Sequence, residues 1–283
     1  MRILIIIPHF HKDALSHNLL YRCLYTLAMH EPLMRHHTVV IDDGSPNEDA
    51  VTKSMSHMRD RFGIRTFRKD NNTSYADVVN IGLKMAESEK YDWALLMNND
   101  IELTQNFVPR WHQLASALPD VGMIGPMLLY PNGRIQSAGI TFLEPGHGAV
   151  CAEHEKGHLY NLAHESNRTK FVNGVTGAFQ FVNMKLFEAI GGYNNHLQLA
   201  YEDVEYCLRA LNHGMGILYD PSMQAVHAES ITRGYFPKAK EIASDKFITA
   251  LWNSAPELVN RAIGVTNMFN QKYKLPNDSL RKL

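Results

Sequence analysis

The sequence predicts an α/β protein built on an open, mostly parallel sheet. In the first 125 residues, short apolar runs that end at turn-forming residues alternate four times with segments of helical periodicity. Parallel strands joined through helices by right-handed crossovers produce this alternation. The chain has 283 residues, of which 45% are hydrophobic, so it can bury a substantial core around such a sheet.

Four strands and three helices are predicted in this first part. The first of these strands is a continuous apolar run, which is typical of a strand buried on both faces, and the second repeats that pattern. The predicted strands are Ile3 to Ile7, Thr38 to Ile41, Ile64 to Phe67 and Trp93 to Met97, and the predicted helices are Ser16 to Ala28, Val51 to Met58 and Ser74 to Glu87. Gly82 lies inside the last helix, where glycine costs about 1 kcal/mol relative to alanine, so we expect the sheet or a ligand to approach it closely.

The pattern changes after residue 125. Met127 to Phe142 is predicted to form a hairpin around the Pro131-Asn132-Gly133 turn, and the polar, aperiodic residues 144–170 are predicted to form a mobile loop. Further elements are predicted at Phe171 to Val182, Lys185 to Ile190, Glu202 to Asn212 and Gln224 to His227. The chain is therefore divided into two halves of one domain, 1–125 and 126–232, followed by a C-terminal helical extension over 233–283.

Composition and charge narrow the choice of partners. The 28 basic and 29 acidic residues nearly balance, so binding to nucleic acid is not expected. Three separated cysteines indicate a reducing compartment, and no apolar run suits a secretory leader or a transmembrane helix, so we expect a cytoplasmic protein. From Lys238 onward, eight basic and four acidic residues predict either a weak peripheral membrane contact or an ordinary helical surface, and their scatter favours the latter.

Polar residues follow three of the predicted parallel strands, at the edge where open sheets bind ligands. His9, with Phe10 beside it, follows the first strand, Asp42 and Asp43 follow the second, and Asn98, Asn99 and Asp100 follow the fourth. A carboxylate at position 42 or 43 can accept a hydrogen bond from a pyrimidine ring N–H. The alternative is a turn that caps the next helix without any ligand.

The Asn98-Asn99-Asp100 run predicts a site for a divalent cation. Mg²⁺ and Mn²⁺ prefer oxygen ligands, which the carboxylate and the asparagine side chains supply. One carboxylate makes a weak site, so a further ligand is expected, and His227 at the end of a strand-like segment is the candidate. The alternative is that His227 is a hydrogen-bonded structural residue.

Glu202 and Asp203 are predicted to lie in the first turn of a helix, where the helix dipole favours ionised carboxylates. An ionised carboxylate can accept the proton of an attacking hydroxyl. The alternative is that these two acids only cap the helix. Glu205 and Arg209 are expected to form an i,i+4 pair on the same helix.

Four histidines in residues 144–170 raise the alternative of a zinc site. His154 and His158 are four residues apart, and His147 and His164 lie nearby in the sequence. The interpretation is disfavoured, because neither cysteine partners nor a predicted ordered element accompany these histidines.

Taken together, these motifs resemble glycosyltransferases of family 2, which are inverting enzymes with a GT-A fold. The motifs are, in chain order, IIIPHF, VVIDDGS, NIG at Asn80 to Gly82, LLMNND, VTGAFQFVNMKLFEAIGGY, YEDVEYCLRALNHGMGILYDP and AVHAES. Their joint presence in family order is highly specific. The resemblance implies that residues 1–125 form the nucleotide-binding half of a GT-A domain and that residues 126–232 form its acceptor and catalytic half.

The resemblance also implies a role for each matching residue. Nucleotide-binding positions are matched by Pro8, His9, Phe10, Asp42, Asp43, Asn72, Asn98 and Asn99, with Asp43 the favoured aspartate. Metal-binding positions are matched by Asp100, in a form of the DxD motif seen in rhamnosyltransferase-like members, and by His227, so Mn²⁺ or Mg²⁺ is the implied cofactor. Asp203 matches the catalytic base and Glu202 a residue that orients the base or the acceptor, while Gly177, Ala178 and Tyr201 match positions beside the donor sugar and acceptor.

The predicted function is the transfer of one sugar, with inversion, from a UDP-, dTDP- or GDP-sugar to a hydroxyl of a glycan or other acceptor, as in surface polysaccharide synthesis. A non-catalytic sugar-nucleotide-binding protein of the same fold is the alternative. A nucleotidyltransferase is not supported, because PHFHKDALSH lacks a glycine-rich phosphate loop. The transferase prediction requires Asp100 and Asp203 to lie at one site.

Overall fold

The computed structural model describes residues 1–147, 149–160, 165–197, 200–228 and 239–275. The strands are β1 (Ile3–His9), β2 (Thr38–Asp42), β3 (Arg65–Arg68), β4 (Trp93–Met97), β5 (Ile101–Leu103), β6 (Val121–Leu129), β7 (Ile135–Ser137), β8 (Ile140–Phe142), β9 (Cys151–Glu153), β10 (Lys170–Phe171), β11 (Phe179–Asn183) and β12 (Gly216–His227). The helices are α1 (Ala14–His30), α2 (Glu48–Phe62), α3 (Tyr75–Ser88), α4 (Val108–Ala117), α5 (Met184–Ile190), α6 (Glu202–Asn212), α7 (Ala239–Ser254) and α8 (Pro256–Tyr273), with a short 3-10 helix at Pro32–His37.

The first four strands form the parallel half of a large central sheet. β2 lies between β1 and β3, and β4 lies on the other side of β1, with every pair parallel. Alternate residues of a strand face opposite sides, so Leu4 and Ile6 of β1 enter one core cluster while Ile3, Ile5 and Ile7 enter the other. The predicted alternation of four strands and three helices is confirmed.

Beyond β4, antiparallel pairs extend the same sheet to ten strands. β11 lies antiparallel between β4 and β6, while β12 runs parallel to β6. The sheet is therefore parallel in the half formed by β1, β2, β3 and β4 and mixed beyond it. The predicted hairpin is confirmed, because β6 pairs with β7 around Gly133, whose φ of 77° lies in the left-handed region that glycine favours.

Three differences from the prediction concern short or interrupted elements. β5 and α4 occupy a segment for which no element was predicted. β12 begins well before the predicted start at Gln224, because a register shift after Asp220 interrupts its pattern. The predicted loop 144–170 contains β9, which pairs with β8 in a separate two-stranded sheet. Three-residue strands are too short for hydrophobic periodicity to reveal them.

Gly82 of α3 lies against the central sheet. A Cβ built on this glycine would be 2.4 Å from Cγ2 of Ile6, closer than carbon atoms can approach. The close neighbour that the sequence required is therefore β1 of the sheet rather than a ligand.

Two helices, α7 and α8, follow β12 in the part of the chain for which a C-terminal helical extension was predicted, and α8 packs on β10 and β12. Their buried side chains include Ile248, Trp252, Val259 and Ala262, and the Trp252 indole N–H donates to the Leu143 carbonyl at 2.8 Å. No helix within the described ranges is long and apolar enough to cross a membrane. Lys238 and residues 276–283, which belong to the predicted basic surface, lie outside the described residues.

Candidate active site

A cavity of about 640 Å³ lies at the carboxyl ends of β1 and β4, beside the start of α6. It contains most of the residues predicted for the site. These are Pro8, His9, Phe10, Asp43, Asn98, Asn99, Asp100, Gly177, Ala178, Tyr201, Glu202, Asp203 and His227. Asp42 and Asn72 do not line it. Asp100 and Asp203, about a hundred residues apart in the chain, thus lie at one site.

Asp42 is an internal residue. It is fully buried, and its carboxylate accepts hydrogen bonds from Ser45 Oγ and, at 2.6 Å, from Arg68 Nη1. Its charge is compensated within the protein, and the side chain does not reach the cavity. The prediction that Asp42 takes part in nucleotide binding therefore does not fit its position, because its oxygens serve to hold the turn after β2.

Asp43 lines the cavity, and residues of the segment before α3 donate hydrogen bonds to its carboxylate. Its Oδ1 accepts from Lys69 Nζ at 2.6 Å, its Oδ2 accepts from Asn72 Nδ2 at 2.9 Å, and the Thr73 amide donates to Oδ1 at 3.1 Å. Gly44, with φ of 60°, allows this approach, because a Cβ there would lie 2.3 Å from the Asn71 carbonyl carbon. Asn72 therefore positions Asp43 and does not itself line the cavity.

His9 lies at the end of β1 and is only 3% exposed. Its Nδ1 lies 2.7 Å from Asn99 Nδ2, while its buried Nε2 has no hydrogen-bond partner among the residues that the structure describes. Burial, with smaller contributions from His11 and His17, lowers the pKa of His9 to about 3, so the ring is neutral. If Nδ1 accepts from Asn99, the ring proton lies on Nε2 and is available to a ligand.

Asp100 and His227 are brought together by β5. The turn after β4 is closed by a hydrogen bond from the Ile101 amide to the Asn98 carbonyl, and β5 then pairs with the end of β12. As a result, Asp100 Oδ1 lies 3.0 Å from His227 Nε2. The Gln136 amide contacts the other ring nitrogen of His227.

The Asp100–His227 pair fits a divalent cation. Neighbouring ligands of an octahedral ion, each about 2.1 Å from it, lie about 3 Å apart. The carboxylate is a ligand type that suits Mg²⁺ and Mn²⁺, and a neutral imidazole is a common metal ligand. The described residues contain no group of three or more His, Cys, Asp or Glu side chains that could hold a metal. Phosphate oxygens of a ligand and water would therefore complete the coordination, as is usual for Mg²⁺.

Asp203 is held at the start of α6 by the loop that precedes β11. The Gly177 amide donates to Asp203 Oδ2 at 2.8 Å, and Tyr75 Oη donates to the Gly177 carbonyl at 2.7 Å. Asp203 Oδ1 accepts from the Val204 amide at 2.8 Å. Each carboxylate oxygen keeps a second lone pair for a ligand. Tyr201, just before the helix, has φ of 65°, a strained conformation for a tyrosine that lines a cavity.

A family model for glycosyl transferase family 2 matches residues 4–191, which is more than half of the chain. The chain belongs to glycosyl transferase family 2. The match includes the cavity residues from Pro8 to Ala178 and ends before Tyr201, Glu202, Asp203 and His227.

The chain is similar to three curated proteins over part of their lengths. It is 29% identical to the uncharacterized protein y4gI of Sinorhizobium fredii over 206 residues, covering 70% of this chain and 22% of that protein. It is 29% identical to the O-antigen biosynthesis protein RfbC of Myxococcus xanthus over 168 residues, covering 58% of this chain and 13% of that protein. It is 22% identical to the N-acetylglucosaminyl-diphospho-decaprenol L-rhamnosyltransferase of Mycobacterium tuberculosis over 162 residues, covering 55% and 53%. The matched region thus spans about half or less of these relatives.

Solved structures share the fold at low sequence identity. GalNAc-T7 with UDP, GalNAc and Mn²⁺ is 14% identical, with a TM-score of 0.68 over 97% of this chain and 55% of that one. The mannosyltransferase PcManGT of Pyrobaculum calidifontis, in complex with GDP-Man and Mn²⁺, is 14% identical, with a TM-score of 0.57 over 99% and 78%. The likeness confirms the predicted GT-A fold.

The cavity of this family 2 chain also contains residues that the sequence analysis missed. Gln136 on β7, Tyr75 at the start of α3, and Cys151 and Glu153 on β9 all line it. Burial raises the pKa of the Cys151 thiol to about 12, so this thiol is neutral. The only sequence signal for Gln136 was its position as a polar residue within the predicted hairpin. Cys151 and Glu153 were missed because β9 lies in a segment that was predicted to be a loop.

The zinc alternative does not fit the described histidines. His154 Nε2 lies 2.8 Å from Thr141 Oγ1, and burial lowers the pKa of His154 to about 4. His147 and His158 are exposed, and His164 lies outside the described residues. His154 thus serves the contact between β8 and the segment after β9.

Proposed function

We propose that this family 2 chain transfers a sugar from a nucleoside diphosphate donor to a hydroxyl of a glycan acceptor, with inversion, and that it uses Mn²⁺ or Mg²⁺. The proposal is carried by one observation: the Asp100–His227 pair and Asp203 line the same cavity. The names of two relatives, an O-antigen biosynthesis protein and a rhamnosyltransferase, support it. We place the reaction in the cytoplasm, since all three cysteines are free thiols.

The nucleotide base is assigned to the end of the cavity formed by His9, Phe10 and Asp43. The Asp43 carboxylate, held by Lys69, can accept from a ring N–H, and His9 Nε2 can donate to a neighbouring carbonyl. The partly exposed Phe10 ring offers a face for stacking. Uracil, thymine and guanine each present a ring N–H beside a carbonyl, so UDP-, dTDP- and GDP-sugars all fit this pair of groups.

The diphosphate is assigned to the Asp100–His227 pair on electrostatic grounds. Within the described residues, the carboxylates that line the cavity are Asp43, Asp100, Glu153, Glu202 and Asp203, and the only lining lysine or arginine is Lys12. So acidic a cavity repels a diphosphate unless a cation accompanies it. A divalent cation held there would neutralise the charge that develops on the leaving nucleoside diphosphate.

Asp203 is assigned as the general base. Its carboxylate takes the proton of the acceptor hydroxyl while that oxygen attacks the anomeric carbon from the face opposite the leaving group, which inverts the configuration. The amides of Gly177 and Val204 hold the carboxylate in place. Glu202, one residue earlier and largely buried, would orient the acceptor or the base.

A thermal-shift screen of UDP-, dTDP- and GDP-sugars, with Mn²⁺ and with EDTA, tests this function. A donor at a hundred times its Kd stabilises the protein by about 2.7 kcal/mol. We expect one nucleotide class to raise Tm with Mn²⁺ and to do so much less with EDTA. If no nucleotide sugar shifts Tm under either condition, the proposal is wrong.

A sugar-nucleotide-binding protein without catalysis is the second candidate. It is suggested by the asparagines at positions 98 and 99, which leave Asp100 as the only carboxylate of this three-residue motif. Assays of nucleoside diphosphate release separate the two. A transferase releases nucleoside diphosphate slowly by hydrolysis and faster with an acceptor, whereas a binding protein shows the thermal shift without any release.

A further inference from the structure

His227 is held between polar partners on opposite sides of its ring. Its Nε2 faces Asp100 Oδ1 at 3.0 Å, with Asn98 Nδ2 farther away at 3.5 Å. Its Nδ1 faces the side-chain amide of Gln136, with the amide nitrogen at 2.7 Å and the amide oxygen at 2.9 Å. Both ends of one amide are thus within hydrogen-bond distance of a single ring nitrogen. His227 and Gln136 are 5% and 4% exposed, so solvent has little access to this contact.

The position of the single proton on a neutral imidazole decides what the other nitrogen can do. With the proton on Nε2, His227 donates to Asp100, and Nδ1 accepts from the nitrogen of the Gln136 amide. With the proton on Nδ1, His227 donates to the oxygen of that amide, and Nε2 presents a lone pair beside Asp100. Only the second arrangement can ligate a cation.

We propose that Gln136 is a positioning residue that exchanges between these two roles by turning its amide. It donates to His227 while the cation is absent and accepts from His227 while the cation is bound. The change removes one proton from Nε2 and adds one to Nδ1, so the charge of the ring is unchanged. This inference rests on the proposed function, since it takes the cation site at Asp100 and His227 as given.

A glutamine suits this role better than the residues that resemble it in shape. Leucine has a similar size but neither donates nor accepts, so Gln136→Leu leaves Nδ1 without a partner in a buried place. Glutamate only accepts when ionised, so Gln136→Glu favours the proton on Nδ1 and the lone pair on Nε2. The two substitutions should therefore change cation affinity in opposite directions, whereas a purely structural role for Gln136 predicts that both weaken it.

Two-bond ¹H–¹⁵N NMR spectra of the ¹⁵N-histidine-labelled protein test the exchange directly, without any substitution at position 136. The His227 signals are assigned by their loss in His227→Gln. We expect the Nε2–H tautomer in EDTA and the Nδ1–H tautomer with saturating MgCl₂. The same tautomer under both conditions would overturn the proposal.

Mn²⁺ affinity, measured from the free-ion EPR signal, tests the role of the side chain apart from activity. We expect Gln136→Leu to weaken binding about 10- to 100-fold, the range typical of groups that orient metal ligands. Gln136→Glu should bind more tightly, and Gln105→Glu, which adds the same charge at a residue outside the cavity, should match the wild type. Equal affinity in all four proteins overturns only the role of Gln136. A wild-type protein that binds no Mn²⁺ overturns the cation site as well.

Discussion

Asp42 and Asp43 are adjacent in the chain but face different surroundings, because successive residues of extended backbone point to opposite sides. The Asp42 carboxylate meets Arg68 inside the protein, whereas Asp43 faces the cavity with Lys69 behind it. Each carboxylate forms an ion pair with a basic side chain, so neutralising either aspartate removes an ion pair from the folded protein. Only Asp43 is placed to meet a ligand.

Substitution of each aspartate by asparagine separates these roles. Asp43→Asn removes the carboxylate that we propose accepts from the nucleotide base, so we expect nucleotide-sugar affinity to fall about tenfold, equivalent to about 1.4 kcal/mol. Asp42→Asn is the matched control. Its affinity for the nucleotide sugar should stay within about twofold of that of the wild type. Titration calorimetry with the nucleotide sugar selected by the thermal screen measures both. A larger loss of affinity in Asp42→Asn than in Asp43→Asn would contradict the assignment.

His9 makes the stability of the fold depend on pH. Its pKa is lowered to about 3 by burial, while in the unfolded chain it returns to 6.5. The unfolded state therefore binds more protons than the folded state between these values, and stability is lost as pH falls below about 6.5. The contribution of His9 between pH 7 and pH 5 is about 2 kcal/mol.

Urea unfolding at pH 7 and pH 5 checks this expectation. His9→Gln has no ionisable ring, so its free energy of unfolding should decrease less between the two pH values than that of the wild type. Other titrating groups are common to both proteins and cancel in the comparison. Equal decreases in the two proteins would show that the His9 ring is not buried in its neutral form in the folded protein.

Residues at strand ends could be predicted from the sequence, because the chemistry of a parallel sheet concentrates ligand-binding groups there. His9, Asp43, Asn98 and Asp100 were found in this way. The residues alone left the choice between Asp42 and Asp43 open, the family resemblance favoured Asp43, and the structure places only Asp43 at the cavity. Gln136 could not be found, since its importance comes from contact with His227, 91 positions away in the chain.

At the scale of elements, α3 shows how packing overrides helix propensity. Gly82 and Gly264 both lie inside helices, where alanine is favoured by about 1 kcal/mol. At Gly82 a Cβ would overlap Ile6 of β1, whereas at Gly264 of α8 no described atom outside the helix's own nearby backbone lies within 4 Å of the added carbon. The same substitution should therefore have opposite signs at the two positions.

Gly82→Ala should lower the free energy of unfolding by about 1–3 kcal/mol, because β1 and α3 must separate to admit the methyl group. Gly264→Ala should raise it by about 0.5–1 kcal/mol through reduced flexibility of the unfolded chain and better helix propensity. Chemical denaturation of both variants at pH 7 measures the difference. A stabilised Gly82→Ala protein would contradict the close packing of α3 on the sheet.

Elements with long apolar runs could be predicted from the sequence, and the parallel half of the sheet follows from them. β5 and β9 could not, because three residues carry no measurable period. Yet β5 is the element that carries Asp100 to His227 by pairing with β12, and β9 supplies Cys151 and Glu153 to the cavity. The sequence therefore indicated the site residues better than the elements that bring them together.

At the scale of the molecule, the cavity is lined by the parallel half of the sheet, by the start of α6 and by the end of β12. Tyr75 of α3 holds the Gly177 carbonyl, and the Gly177 amide holds Asp203, so α3 is joined to the start of α6 by one short chain of hydrogen bonds. The C-terminal helix α7 packs on the same core through Trp252, whose ring contacts Phe142. The proposed chemistry depends on this joint placement rather than on any one motif.

Steady-state transfer by Asp203→Asn, with nucleotide-sugar binding and Tm measured on the same preparation, tests the central claim most directly. Asparagine keeps the shape and an oxygen for the Gly177 amide but cannot take up the acceptor proton at neutral pH. We expect kcat to fall about 10²- to 10⁴-fold while donor affinity and Tm stay close to those of the wild type. Transfer at a near-normal rate would contradict the assignment of Asp203 as the base and, with it, the account of the cavity as a site of inverting sugar transfer.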